Sequence, residues 1–207
     1  MLFPRPHLGV TVDKDLKFNK HIANAVNNAN KILGVIKRTF ECLDHDTIPT
    51  LFKALVRPHL EYANSVWSPR YKKDDIALEK VQRRATKMIK EIKDLPYGKR
   101  LEILKLPSLH YCRKRGDMIQ VFKIISGIDR LDSDSFFVKS QIQGTRGNQH
   151  KIFKKRATLD IWRNSFSIRI VNDWNSLPND VVNAKTLNDF KSRLDAHWEK
   201  EQYYFSQ

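Results

Sequence analysis

Residues 18–40 have the sequence FNKHIANAVNNANKILGVIKRTF, in which apolar residues recur every three or four positions. The apolar series is Phe18, Ile22, Val26, Ala29, Leu33, Ile36 and Phe40. Because an α-helix has 3.6 residues per turn, this spacing places the whole series on one stripe. The opposite side is polar and rich in asparagine. The stretch therefore predicts a long amphipathic helix that buries one side against the rest of the chain.

Other segments show the same helical periodicity. Asp46 or Thr47 is suited to be the N-cap of a second helix, which Pro58 should kink or end, with a further helical piece over 60–67. Thr186 resembles the N-cap of a capping box, with Asp189 in place of Glu. Further helices are predicted over residues 74–92, 100–104, 107–126, 165–174 and 187–198.

Two stretches break the helical pattern. Residues 8–12 (LGVTV) alternate like a short strand, and residues 141–151 (QIQGTRGNQHK) carry two glycines and almost no hydrophobic residues. The second stretch predicts a flexible loop that divides the chain. The fold class expected is mainly α: a helical bundle with a short N-terminal strand and a small, mostly helical C-terminal subdomain.

The composition favours a polyanionic partner. The 207 residues include 38 Lys and Arg against 23 Asp and Glu, a net charge of +15, and 41% are hydrophobic, which suffices for a core. Ribosomal and membrane-surface proteins also have such an excess of basic over acidic residues. No apolar run reaches the roughly 18–20 residues needed to span a bilayer, and no secretory signal is visible. With Cys42 and Cys112 expected as reduced thiols, the predicted location is intracellular, nuclear or cytoplasmic, and not secreted.

Residues for catalysis are not evident in the sequence. The seven histidines never fall at the spacing of a helical metal pair, and no phosphate-binding glycine loop occurs. Among the acidic residues, the adjacent Asp74 and Asp75 are the nearest candidates for a polymerase metal site. We expect them instead to lie in the first turn of a helix, where carboxylates offset the helix dipole. We therefore expect no catalytic residue, no metal site and no cofactor in this chain.

The helix predicted over residues 74–92 carries the clearest binding pattern. Its apolar stripe is Ala77, Val81, Ala85, Met88 and Ile92, and its remaining arc holds Lys80, Arg83, Arg84, Lys87 and Lys90. Like charges at this spacing repel one another, so the strip is best accounted for by a facing line of phosphates. A solvated basic face is the alternative.

The surrounding segment extends this basic cluster. Between Arg70 and Arg115 there are fifteen Lys or Arg against six Asp or Glu, a net of +9. Arg113, Lys114 and Arg115 carry the cluster onto the next helix, so they join the predicted nucleic-acid-binding residues. Tyr62, Trp67, Tyr71 and Tyr97 are candidates either for stacking on bases or for packing in the core.

Several motifs together resemble a known family. They are HLGVTVD at 7–13, LVRPHLEYANSVW at 55–67, LEKVQRRATKMI at 78–89 and FSIRIVNDWNSLPNDVV at 166–182, followed by Thr186-Leu187 and FKSRL at 190–194. In this order and spacing they resemble the region after the catalytic palm in LINE-type, jockey-like non-LTR retrotransposon reverse transcriptases. The likeness covers nearly the whole chain, although the first six residues and the middle loop match least well.

The resemblance implies a thumb-like module without its own polymerase centre. Residues 1–14 would end a palm-like strand segment, 15–128 form a basic thumb-like domain, 129–156 a loop-rich linker, and 157–207 a C-terminal helical subdomain. The implied partners are RNA, DNA or an RNA–DNA hybrid and the missing palm and fingers of a parent RNA-directed DNA polymerase, which would itself need Mg²⁺. No membrane partner is expected. A helical protein-interaction module and a non-functional truncated relic remain as alternatives.

Overall fold

A computed structural model describes residues 5–140 and 148–199 of the chain. The described residues are mainly helical, which confirms the fold class predicted from sequence. The strands are β1 (Arg5–His7) and β2 (Val10–Val12). The α-helices are α1 (Asn19–Thr39), α2 (Thr47–Leu51), α3 (Arg57–Glu61), α4 (Lys72–Thr86), α5 (Tyr97–Leu104), α6 (Leu109–Ile125), α7 (Ser133–Phe136), α8 (Asp160–Arg163), α9 (Phe166–Arg169), α10 (Val171–Ser176), α11 (Asn179–Val182) and α12 (Leu187–His197).

The N-terminal strand signal corresponds to a hairpin rather than to one strand. β1 and β2 pair antiparallel, with His7 opposite Val10. Leu8 and Gly9 form the connection, with φ values of 46° and 82°, so the predicted single strand over 8–12 is wrong at its first two residues. Gly9 suits this left-handed backbone because it has no Cβ.

The described chain divides into two compact units, and α1 builds the first, which ends at Arg113. Ile22, Ala29, Leu33 and Ile36 of its predicted stripe are buried, as the periodicity required. α1 packs against α3 and α4, and the shared core includes Phe52, Leu60, Leu78, Val81 and Leu101. At roughly 25 cal/mol per Å² of buried apolar surface, such packing is the main stabilising contribution.

Pro58 does not break the second helix. Residues from Thr47 to Glu61 continue as α2, a π-helical turn (Phe52–Val56) and α3. The proline ring would clash with the carbonyl of Ala54 in a regular helix, and the wider turn before it accommodates the ring. The predicted helical piece over 60–67 is also wrong: α3 ends at Glu61, and Ala63 has a φ of 54°.

The cap of this helix differs from the sequence prediction as well. Asp46 makes no side-chain capping bond. Asp44 Oδ1 instead accepts hydrogen bonds from the backbone N–H groups of Thr47 at 2.8 Å and Asp46 at 3.1 Å. These bonds hold the pKa of the Asp44 carboxyl well below its usual range.

The helix predicted over 74–92 is shorter than expected. α4 begins at Lys72 and ends at Thr86, and turns follow it up to Leu95. Arg100 Nη1 donates to the Arg83 carbonyl at 3.1 Å and to Thr86 Oγ1 at 2.8 Å. A buried guanidinium thus satisfies a carbonyl of the last turn and offsets the negative end of the helix dipole.

The boundary between the compact units lies inside α6, between Arg113 and Lys114, and not in the predicted linker over 129–156. The second unit covers Lys114–Glu199 and has its own aromatic core. The rings of Phe122 and Phe190 stack at 4.3 Å between centroids, and Trp174 lies 6.1 Å from Phe190. The Thr186 cap is confirmed, since Thr186 Oγ1 accepts from the Asp189 N–H at 3.1 Å.

Part of the predicted flexible loop is held firmly in the second unit. Residues 141–147 lie outside the described residues, but Asn148 is 4% exposed. Its Nδ2 donates to the carbonyls of Trp174 at 2.8 Å and Leu177 at 3.2 Å. The residues that end the predicted loop are thus anchored by hydrogen bonds that periodicity could not reveal.

Candidate nucleic-acid interface

Four cationic side chains of the first unit share one side of α4. They are Lys73, Lys80, Arg84 and the C-cap Lys87, and together they are called the α4 cationic face. At about 100° per residue they fall within roughly 60° of arc. Ala77 lies at one edge of this arc, about 20° beyond Arg84. The buried residues of the helix, among them Leu78 and Ala85, lie on the other side.

Arg84 connects this face to α1. Its Nη1 donates to Asn30 Oδ1 at 2.7 Å. Among the described residues, Lys80 and Lys87 make no ion pair with a carboxylate. The face is therefore positively charged, with an α1 amide beside it.

Arg83 lies at the edge of the face and packs against Tyr97. Its guanidinium carbon is 4.5 Å from the centroid of that ring, and Arg100 lies 5.4 Å from the same centroid. Such cation–π contacts keep the two guanidinium groups close together despite their like charges. Arg83 thus supports the packing of the interface and is only partly accessible to a ligand.

Asp74 and Asp75, in the first turn of α4, lie away from the cationic face. Asp75 forms an ion pair with Arg113 Nη2 and a hydrogen bond of 3.0 Å with His110 Nδ1. Burial pushes the pKa of Asp75 upward, but the His110 hydrogen bond and the Arg113 charge outweigh it and hold that pKa below its usual value. Asp74 is half-buried, and burial raises its pKa. The prediction that Asp74 and Asp75 open a helix is confirmed.

Glu79 is the most deeply withdrawn carboxylate of α4. It is 0% exposed, and its Oε1 accepts from Tyr97 Oη at 2.6 Å and from the Leu109 N–H at 3.3 Å. Burial raises the pKa of Glu79, opposed by the Tyr97 hydrogen bond and the charge of Arg113. The acidic groups of α4 are thus drawn inward while its cations face outward.

Arg113, predicted from sequence to join the interface, belongs to this buried network instead. It is 4% exposed, and it forms an ion pair with Asp75. A phosphate could reach its guanidinium only by breaking that pair inside the protein. We therefore do not retain Arg113 in the candidate interface.

Lys114 and Arg115 are engaged within the second unit. Arg115 makes a two-pronged contact with Asp195, with Nε–Oδ1 and Nη2–Oδ2 distances of 2.5 and 2.8 Å. Lys114 Nζ lies 3.3 Å from Asp173 and 5.1 Å above the Trp198 ring. Planar guanidinium–carboxylate pairs are strong hydrogen-bonded contacts, so Arg115 serves the packing of its own unit. Lys114 contacts a carboxylate and an aromatic ring of the same unit.

The remaining candidates divide between surface and core. Lys90 is exposed in the turns after α4, outside the helical arc that the sequence predicted for it. Trp67 is fully buried, and its Nε1 donates to the Tyr62 carbonyl at 2.6 Å. Tyr62 is 55% exposed, and its hydroxyl donates to the Leu8 carbonyl at 2.9 Å. Trp67 is therefore a core residue.

Two residues of the interface, Lys73 and Asn30, were not among those predicted from the sequence. Lys73 lies seven residues before Lys80, so helical spacing alone could have added it to the strip. Asn30 could not have been found in this way, because its place beside Arg84 depends on how α1 packs against α4.

Metal and membrane features are absent from the part of the chain that the structure describes. Within residues 5–140 and 148–199, no group of three or more His, Cys, Asp and Glu side chains is placed to hold a metal ion. In the same ranges no helix is both long and apolar enough to cross a bilayer.

The chain matches no protein-family model, no curated protein and no solved structure.

Proposed function

We propose that this chain is a nucleic-acid-binding, thumb-like module that grips a template–primer duplex for a retrotransposon RNA-directed DNA polymerase. The observation that carries the proposal is the sorting of charge on α4. Its carboxylates Asp75 and Glu79 are held inside by protein partners, whereas Lys80, Arg84 and Lys87 lie along the opposite side. The resemblance of the sequence motifs to the post-palm region supplies the context of a polymerase.

The proposed contacts are with the phosphate backbone and not with base edges. Lysine and arginine side chains that follow one helix side suit a line of phosphates, and each neutralised phosphate releases a condensed counterion. Asn30 adds a neutral hydrogen-bonding group beside Arg84 that could contact a sugar or phosphate oxygen. Binding of this kind positions a duplex without reading its sequence.

The proposal is tested by the salt dependence of binding to an RNA–DNA hybrid duplex. The test variant combines Lys80→Ala, Arg84→Ala and Lys87→Ala. The control variant combines Lys14→Ala, Lys53→Ala and Lys185→Ala, which removes three cations outside the α4 cationic face. The two variants have the same net charge, so a difference between them reports the location of the charges and not their number.

In the test variant alone, we expect weaker binding to the hybrid. We also expect a shallower slope when the logarithm of the association constant K is plotted against the logarithm of the salt concentration. Equal effects in both variants would mean that only net charge matters. Unchanged binding in the test variant would contradict the proposal and favour the alternative of a helical protein-interaction module.

A further inference from the structure

The second unit exposes a cationic and aromatic segment, residues 151–156 (KIFKKR), that the function proposed above does not use. Phe153 is 54% exposed, and Lys154, Lys155 and Arg156 after it are exposed as well. An exposed phenylalanine among cations is not explained by the packing of the unit, because its neighbour Ile152 supplies the buried side chain at 3% exposure.

Hydrogen bonds fix the path of this segment. Asn175 Nδ2 donates to the Ile152 carbonyl at 2.8 Å, and Asn175 Oδ1 accepts from the Ile152 N–H at 2.9 Å. Trp174 Nε1 donates to the His150 carbonyl at 2.8 Å. Hydrogen bonds to the backbone N–H and C=O of Ile152, and from the Trp174 indole to the His150 carbonyl, therefore hold the segment along α10.

A short antiparallel pairing fixes its register. The Phe153 N–H donates to the Val138 carbonyl at 2.7 Å, and the Ser140 N–H donates to the Lys151 carbonyl at 2.9 Å. Successive side chains of paired chains point to opposite faces, so burial of Ile152 requires Phe153 to face outward. Burying Phe153 instead would need a one-residue slip that breaks these bonds.

The cations beside Phe153 are available to an external anion. Among the described residues, Lys155 and Arg156 make no ion pair, and Lys154 Nζ donates to the neutral Asn172 Oδ1 at 3.1 Å. The carboxylate of Asp160, four residues after Arg156 in sequence, pairs with Arg163 at 3.2 Å. Residues 153–156 therefore combine a fixed outward ring with two cations, Lys155 and Arg156, that no carboxylate in the described ranges neutralises.

We propose that residues 153–156 bind single-stranded nucleic acid, with a base stacked on Phe153 and backbone phosphates at Lys155 and Arg156. Aromatic rings bind unpaired bases because every base has an exposed π-face, and cations next to the ring follow the strand. A duplex hides its base faces, so this site selects single strands. The proposal does not depend on the α4 cationic face, which belongs to the other unit and is proposed to bind a duplex.

The experiment measures binding of a fluorescein-labelled 20-nucleotide oligothymidylate to the full chain over a range of salt concentrations. Phe153→Leu removes the aromatic ring but keeps apolar volume, and Phe153→Trp keeps a stacking surface. Lys155→Ala with Arg156→Ala removes the two cations. The hybrid duplex serves as the second probe for every variant, and far-UV circular dichroism checks folding.

We expect Phe153→Leu to weaken oligothymidylate binding roughly 5- to 150-fold, the range for removal of one base–aromatic stack. Phe153→Trp should bind at least as tightly as the parent chain. The double alanine variant should flatten the salt slope by about 1.4, or 0.7 per phosphate on a single strand. Binding to the RNA–DNA hybrid should change only in the chain that carries Lys80→Ala, Arg84→Ala and Lys87→Ala, so failure of one proposal remains distinguishable from failure of the other.

Oligothymidylate binding that is unchanged in Phe153→Leu and in the double alanine variant would overturn the proposal. So would a concentration-dependent self-association that Phe153→Leu abolishes while oligothymidylate binding persists, because the ring would then serve a protein contact. If Phe153→Leu fails to fold, Phe153→Trp decides: weaker binding in that folded variant would also overturn the stacking claim.

Discussion

Tyr97 Oη donates a hydrogen bond of 2.6 Å to Glu79 Oε1, while the same tyrosine ring lies 4.5 Å from the guanidinium of Arg83. One residue thus donates to one oxygen of a buried carboxylate on the inner side of α4 and supports a cation at the edge of its outer side. Burial and the carboxylate raise the pKa of Tyr97, so its hydroxyl stays protonated and remains a donor throughout the physiological range.

Tyr97→Phe should therefore destabilise the first unit. The substitution leaves Glu79 Oε1 with only the Leu109 N–H, and removing a hydrogen bond to a buried carboxylate lowers the free energy of unfolding by about 1–3 kcal/mol. Tyr62→Phe is the matched control, because its hydroxyl bonds an exposed carbonyl, that of Leu8, and should change stability less. Urea unfolding measures both, and a Tyr97→Phe chain as stable as the parent would contradict the network described.

Arg113→Ala should be more damaging than removal of a surface cation. Deleting the guanidinium leaves the Asp75 side chain, which is 20% exposed, with only the His110 contact, and it takes away the positive charge that acts on Glu79. Breaking one side of a buried ion pair typically lowers the free energy of unfolding by about 3–5 kcal/mol. Lys99→Ala, at an exposed pair with Glu102, should fall within about 0.5 kcal/mol of the parent chain.

A different outcome at Arg113 would restore its sequence-based assignment. If Arg113→Ala leaves the urea midpoint unchanged but flattens the salt slope for hybrid binding, the guanidinium contacts phosphate and the buried pair has little structural weight.

Local features of the fold could be predicted from the sequence, whereas features that involve distant residues could not. The stripe of α1 and the cap at Thr186 are local features, set by residues within a few positions of one another, and both are present in the structure. The end of α4 at Thr86 depends on Arg100, fourteen residues later, and so could not be predicted from helical periodicity, which continues to Ile92.

The positions of the cations at the candidate interface were likewise only partly predictable from the sequence. The outward position of Lys80 and Arg84 follows from their place opposite the apolar stripe. Arg113 continues the basic run in sequence, yet it is buried and forms an ion pair with Asp75 of α4. Sequence counts net charge correctly, but only tertiary structure shows which cations are already paired.

Stability should fall at mildly acidic pH because of His21. Burial lowers the pKa of His21 from 6.5, and its Nδ1 accepts the Thr11 N–H at 3.3 Å, so the folded state favours the neutral ring. The unfolded state gains a proton first as pH falls below about 6.5. Stability is therefore complete above that pH and decreases progressively as pH falls toward the folded-state pKa.

His21→Gln isolates this contribution, because glutamine keeps an acceptor but does not titrate. Urea midpoints at pH 7.5 and pH 5.5 should differ more in the parent chain than in the variant. An equal pH dependence in both chains would show that His21 takes up protons equally well in the folded and unfolded states.

The isolated chain should not extend a primer. No cluster of carboxylates able to hold metal ions occurs among the described residues, and Asp74 and Asp75 are committed to the start of α4. A primer-extension assay with Mg²⁺ or Mn²⁺ should match the no-protein background. Metal-dependent nucleotide incorporation that disappears in Asp75→Asn would contradict the expectation that this chain lacks a polymerase centre.

The most direct test of the central claim is the slope of log K against log salt for an RNA–DNA hybrid, compared between the parent chain and Lys80→Ala/Arg84→Ala/Lys87→Ala. If these three cations bind phosphates, the slope should become shallower by about 0.9 for each phosphate no longer neutralised, or by up to about 2.7 in total. The charge-matched Lys14, Lys53 and Lys185 variant should keep the parent slope. A parent slope near zero, or the same slope in all three chains, would contradict duplex binding by the α4 cationic face.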